Sequence, residues 1–153
     1  MDNNIPFPQA NNFEKIIAIL NLQHEQVLNS TEKLRVILGD MTDRQVSYYI
    51  SAAMFLGLIE SEKGEKKFTS KAQNIRDKNS LEQTAELISL ILLNPIFNRI
   101  YVNTLLLGKQ EVDDIIAVIN EYYPMYSDAI FERRAQTASS WINWIFSQIE
   151  AGK

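Results

Sequence analysis

The side chains best placed to do chemistry in this sequence are hydrogen-bond donors on short helices. Arg44, Gln45, Ser47, Tyr48 and Ser51 fall towards one side of a stretch that begins at Thr42 and reads as a helix. An arginine carries a planar fork that matches guanine, and a glutamine carries the paired donor and acceptor that match adenine. Serine and tyrosine hydroxyls reach bases or phosphates. Lys63, Lys66 and Lys67 follow around a glycine turn, a placement suited to phosphate oxygens. Arg133, Arg134, Gln136 and Thr137 offer the same chemistry near the C-terminus.

Each of these residues also has a plain structural reading. Gln45 can act only as a helix cap. One of Tyr48 and Tyr49 can be a packing residue. Arg134 can pair with Asp128 or Glu132 along its helix. A lysine-rich hairpin can be a solvated strand edge, and Trp141 and Trp144 read as core anchors. The joint placement of the donors, more than any one of them, carries the reading.

Catalysis finds little support. Glu65-Lys66-Lys67 fits the Glu-x-Lys of metal-dependent nucleases, but it sits in a short charged turn with no Pro-Asp partner upstream. His24 is the only histidine and cysteine is absent, which excludes multi-histidine and thiolate metal sites. Asp113 and Asp114 are adjacent on a helix and point in different directions. The five glycines are scattered and form no phosphate loop. The chain reads as a non-enzyme, with no cofactor and no metal.

The chain has 153 residues, 46% hydrophobic and 22% charged, as in a soluble globular protein. A formal charge of −4 disfavours indiscriminate nucleic-acid binding, yet the charge is uneven. Residues 33–78 carry nine bases against six acids, whereas residues 79–122 carry two against six. No leader or membrane-length apolar run is evident, so the expectation is a cytoplasmic protein with no membrane partner.

The elements needed to position the donors are helical. Residues 1–10, with Pro6 and Pro8, read as an extended arm, and Asn12 can cap a helix with Phe13, Ile16, Ile17 and Leu20 buried. A second helix from Thr31 to Leu38 buries Leu34, Ile37 and Leu38 and breaks at Gly39-Asp40-Met41. Thr42-Asp43-Arg44-Gln45 is a capping box for the next helix, giving a helix-turn-helix. Glu60 to Thr69 forms a small hairpin, or wing. Ser70-Lys71-Ala72-Gln73 and Ser80-Leu81-Glu82-Gln83 read as further capping boxes. Helices then run to about Leu93, from Ile96 to Leu107, from Glu111 to Tyr122, and from a cap at Ser127 to about Ile149.

The stretches Tyr48–Ile59 and Arg133–Trp144 align at a shift of 85 residues, with small residues at Ala53 and Ala138 and large apolar ones at Leu56 and Trp141. This suggests an internal repeat. Asp43-Arg44-Gln45-Val46-Ser47-Tyr48-Tyr49, with Ala52-Ala53, Leu56-Gly57-Leu58-Ile59 and Lys67-Phe68-Thr69, resembles the winged-helix modules attached to restriction and phage-defence proteins. Glu132-Arg133-Arg134 through Trp141-Ile142-Asn143-Trp144-Ile145 is similar to a later run in those modules. The resemblance implies DNA recognition, often serving a nuclease that lies elsewhere. Two departures stand out: little follows the second helix to form a wing, and Thr69-Ser70-Lys71 stands where Thr-x-x-Gly is usual.

The expected fold is mainly α, a tandem winged helix-turn-helix with one small β-hairpin wing. Residues 1–79 make an N-terminal unit, and residues 80–153 a second unit whose wing is absent or truncated. The expected function is sequence-specific double-stranded DNA binding, alone or with a nuclease domain or subunit. A winged-helix scaffold for protein assembly without DNA affinity is the alternative. A transcriptional repressor, a homodimer through the Leu81–Leu107 helices, is a third reading.

Overall fold

The computed structural model describes residues 5–152, which are mainly helical with one small two-stranded antiparallel sheet. In order the elements are α1 (Phe13–Leu20), α2 (Thr31–Ile37), α3 (Asp43–Phe55), β1 (Ile59–Glu62), β2 (Glu65–Phe68), α4 (Ser70–Arg76), α5 (Ser80–Leu93), α6 (Pro95–Leu107), α7 (Val112–Tyr122) and α8 (Asp128–Ala151). A 3-10 turn, Glu25–Asn29, precedes α2. The chain divides into two compact units, Met1–Gln83 and Thr84–Lys153, the division falling inside α5.

In the first unit Asn12 caps α1 by accepting the Glu14 amide at 3.1 Å. Phe13, Ile16, Ile19 and Leu20 supply the buried face. Of the expected arm, residues 1–4 lie outside the described residues. Phe7 is buried and meets the Phe55 ring edge-on at 5.8 Å, so the segment before α1 is packed down.

The turn between α2 and α3 uses positive φ at Gly39 (91°) and Asp40 (57°). Two cations satisfy its carbonyls: Lys15 donates to Leu38, and Arg35 donates through Nε to Met41 at 2.8 Å. Backbone acceptors at the end of a helix are thereby paired, and the helix dipole is complemented. Ile37 departs from the sequence expectation and is 48% exposed. A seven-residue helix presents one narrow row to its neighbours, and Leu34 and Leu38 fill it.

The hairpin pairs Ile59 with Phe68 and Glu62 with Glu65, leaving Lys63-Gly64 as a two-residue turn. Both have positive φ, 54° and 80°, the signature of a type I′ turn. Ile59 and Phe68 are buried, whereas the tip is exposed. The outer edge of β2 is covered: Asn29 accepts the Lys66 amide at 2.7 Å and donates to the Lys66 carbonyl at 3.0 Å. Glu25 takes the Phe68 amide at 3.0 Å. An otherwise open strand edge is closed by side chains.

Two caps sit one residue earlier than the sequence suggests. Thr69, and not Ser70, accepts the Ala72 amide, and its hydroxyl also donates to Gly57 at 2.6 Å. Asn79, and not Ser80, accepts the Glu82 amide at 2.9 Å. Gln83 instead exchanges two amide hydrogen bonds with Asn21, at 3.1 and 3.0 Å.

In the second unit Asn94 caps α6, accepting the Ile96 amide at 2.9 Å, and Pro95 occupies the first helical position. Proline is tolerated there because that amide has no intrahelical partner. Trp141 of α8 is fully buried and stacks on Phe97 of α6 at 5.0 Å. Tyr101 and Phe146 stack at 5.3 Å. Losing an aromatic anchor such as Trp141 costs about 3–5 kcal/mol. The helix α8, with 24 residues, is long enough to carry this core and a separate exposed N-terminal face. Among the described residues no single helix is long and apolar enough to cross a membrane.

Candidate nucleic-acid interface

The exposed face of α3 follows from what the helix buries. Val46, Tyr49, Ile50, Ala52 and Ala53 point inward, which leaves Arg44, Ser47, Tyr48 and Ser51 along one outer row. Tyr49 is the packing tyrosine of the pair. Its hydroxyl accepts the Asn12 amide at 2.9 Å, and burial raises its pKa against the lowering effect of that bond. Arg44 and Ser47 are exposed, and Tyr48 and Ser51 are half-buried.

The N-terminus of α3 is fully capped. Thr42 accepts the Gln45 amide at 3.1 Å, and Gln45 accepts the Thr42 amide at 3.0 Å. This fixes the first turn, where Arg44 sits. It also occupies the Gln45 carbonyl oxygen, so bidentate recognition of adenine by Gln45 requires breaking the cap. Gln45 is exposed, but its structural role is the one the geometry displays.

The hairpin lysines are not equivalent. Lys63 stands exposed at the tip. Lys66 is half-buried, with its backbone tied to Asn29. Lys67 pairs with Glu62 and lies 3.8 Å from Glu60. This pairing lowers the Glu62 pKa and raises that of Lys67. With Glu60, Glu62 and Glu65 facing three lysines, the hairpin is electrically balanced, and Lys63 is its outermost cation.

The α8 donors separate sharply. Arg133 and Gln136 are exposed. Arg134 and Thr137, expected among the surface donors, are buried at 8% and 0% exposure. Their spacing explains this: Phe131, Arg134, Ala138, Trp141 and Ile145 form one inward row, and Thr137 lies beside it. Arg134 does not pair with Asp128 or Glu132; no such ion pair occurs among the described residues. Its guanidinium stacks on Tyr126 at 5.0 Å, and Nε and Nη1 make no hydrogen bond. Both side chains are turned into the core, away from the exposed Arg133 and Gln136.

The sequence reading missed one relationship. Arg44 donates through Nε to the Tyr48 hydroxyl at 2.5 Å, and its guanidinium lies 5.5 Å from the ring centre. The i, i+4 spacing of the two residues is the signal that points to it. No cluster of three or more metal-ligating side chains occurs among the described residues.

A mainly helical chain with a capped, donor-bearing helix and a short hairpin is the class the geometry defines. The chain belongs to the family described as Domain of unknown function (DUF7226), whose model matches residues 15–150. Neither a curated protein nor a solved structure matches it.

Proposed function

We propose that this protein is a sequence-specific double-stranded DNA-binding module on a tandem winged-helix frame. In this reading α2, the Gly39–Met41 turn and α3 form the helix-turn-helix of the first unit, with the β1–β2 hairpin as its wing. In the second unit α7 and α8 take the corresponding places without a wing. The observation that carries the reading is the outer row of α3 behind a complete capping box: Arg44 and Ser47 exposed, Tyr48 and Ser51 half-buried beside them. The donors of this row suit the acceptor-rich floor of a major groove, and the carboxylate that flanks them in the first turn, Asp43, lies 3.5 Å from the Arg35 guanidinium. Lys63 would hold phosphate from the wing, and Arg133 and Gln136 would act from the second unit. The module would serve a defence nuclease or a regulator.

A second reading is favoured by a different surface. Leu105, Leu106 and Leu107, at the end of α6, are 59%, 78% and 76% exposed, within a stretch of acidic charge. Exposed apolar runs of this kind mark protein contacts, as a winged-helix scaffold or a dimeric repressor would need.

Selection from a random duplex library separates the two. Enrichment of one sequence motif, lost in Arg44→Ala, supports DNA recognition. An unenriched pool, together with self-association abolished by Leu106→Glu, supports the scaffold.

A further inference from the structure

Arg44 and Tyr48 stand one turn apart on the outer row of α3, and the geometry points to a single reading unit. The Arg44 Nε–H is directed at the Tyr48 hydroxyl oxygen, 2.5 Å away. The guanidinium carbon lies 5.5 Å from the centre of the same ring. Tyr48 is half-buried, so its ring is held against the helix while Arg44 is exposed. A long surface side chain that is normally free to rotate is thus tethered at its inner nitrogen.

That tether selects which donors remain. With Nε engaged, Arg44 presents the end-on pair of terminal nitrogens, whose N–H groups span the O6 and N7 acceptors of guanine. The neighbours do not compete for this role. The Gln45 carbonyl oxygen is held by the Thr42 amide. Ser47 and Ser51 carry hydroxyls that donate or accept equally well and discriminate little.

We propose that Tyr48 is the positioning residue that presents Arg44 to one guanine in the major groove, so that the target of the first unit contains a fixed guanine. The inference rests on the DNA-binding reading above. The general consequence is that specificity at this position depends on a hydroxyl that need not touch DNA.

The test compares base-preference profiles from random-duplex selection for the wild type, Arg44→Ala, Arg44→Lys and Tyr48→Phe, with melting temperature and salt dependence recorded alongside. Tyr48→Phe keeps the ring and removes the acceptor. It should melt with the wild type, keep the salt slope, and lose about tenfold in preference for guanine at one position. Arg44→Lys keeps the charge and leaves Tyr48 in place, and should lose that preference outright. It provides the same test if Tyr48→Phe proves unstable. A guanine preference unchanged in Tyr48→Phe, or retained in Arg44→Lys, overturns the proposal. Enrichment that survives Arg44→Ala overturns it while leaving DNA binding intact. A wild type that enriches nothing removes both.

Discussion

The guanidinium of Arg134 lies 5.0 Å from the centre of the Tyr126 ring, buried and with Nε and Nη1 unbonded. Tyr126 in turn stacks on Tyr123 at 5.1 Å, nearly parallel, and meets Phe131 edge-on at 5.7 Å. Aromatic faces stand where a buried cation ordinarily finds a carboxylate. A desolvated cation–π contact contributes about 2 kcal/mol, less than the several kcal/mol of removing an ion from water. On these magnitudes the buried arginine is expected to cost the fold more than its ring contact returns.

It follows that Arg134→Met, which preserves length and packing, will be as stable as the wild type or more so, by about 1–4 kcal/mol. Arg134→Ala leaves a cavity instead and should lose about 2–3 kcal/mol. Denaturant titration of the two variants reads this directly. A methionine variant several kcal/mol less stable than the wild type would show that the guanidinium has a partner strong enough to offset its burial.

Arginines on the two sides of α8 should behave oppositely in DNA binding. Arg133→Ala should weaken a selected duplex by about 1–3 kcal/mol, as should Arg44→Ala. Arg134→Met should leave affinity unchanged because its side chain faces inward. Calorimetric titration of the three variants against one duplex checks the ordering, and a loss confined to Arg134→Met would contradict it.

The hairpin separates its lysines in the same experiment run at several salt concentrations. Lys63→Ala should reduce the salt slope by about 0.9. Lys67→Ala should reduce it by less, because Glu62 and Glu60 already neutralise that ammonium. Glu62→Gln should strengthen binding by freeing Lys67. Equal slopes for the two lysine variants would count against this assignment.

Lys63 adopts a left-handed φ of 54° at the first turn position, where asparagine is favoured over lysine. Lys63→Asn should stabilise the protein by up to about 1 kcal/mol, while weakening phosphate contact. A rise in melting temperature with a fall in DNA affinity is the expected pair of results.

Alkaline pH should destabilise the fold. Burial raises the pKa of Tyr49 and of Tyr123 above the ordinary phenol value of 10.0. The folded state keeps these protons where the unfolded chain releases them. Their contribution is complete below pH 10 and is lost as the pH climbs through the raised values. Tyr49→Phe should flatten that loss in a pH series of denaturant melts, and should cost about 1 kcal/mol at neutral pH through the missing bond from Asn12.

Much of the first unit is readable from local rules. Thr42 and Gln45 announce the start of α3, and Lys63-Gly64 between short charged strands announces the hairpin. The Glu25–Asn29 turn escapes notice because five residues carry no usable period. The caps at Thr69 and Asn79 are mistaken by one position because Thr-Ser and Asn-Ser each offer two adjacent capping oxygens. In α8 the error has another origin. Arg134 and Thr137 are polar, and polarity is a weaker guide than the three- and four-residue spacing that places Arg134 on the row of Trp141 and Thr137 beside it. For the candidate site, exposure of Arg44 and Arg133 is legible from periodicity. The pairing of Lys67 with Glu62 depends on the hairpin register, which only the folded backbone supplies.

The most direct test of the central claim is the salt-dependent affinity of the wild type and Arg44→Ala for a selected duplex and for the same duplex scrambled. The wild type should prefer the selected sequence by at least about tenfold, roughly 1.4 kcal/mol, and Arg44→Ala should lose most of that preference with a nearly unchanged salt slope. Equal affinity of the wild type for the two duplexes, or a preference untouched by Arg44→Ala, would contradict it.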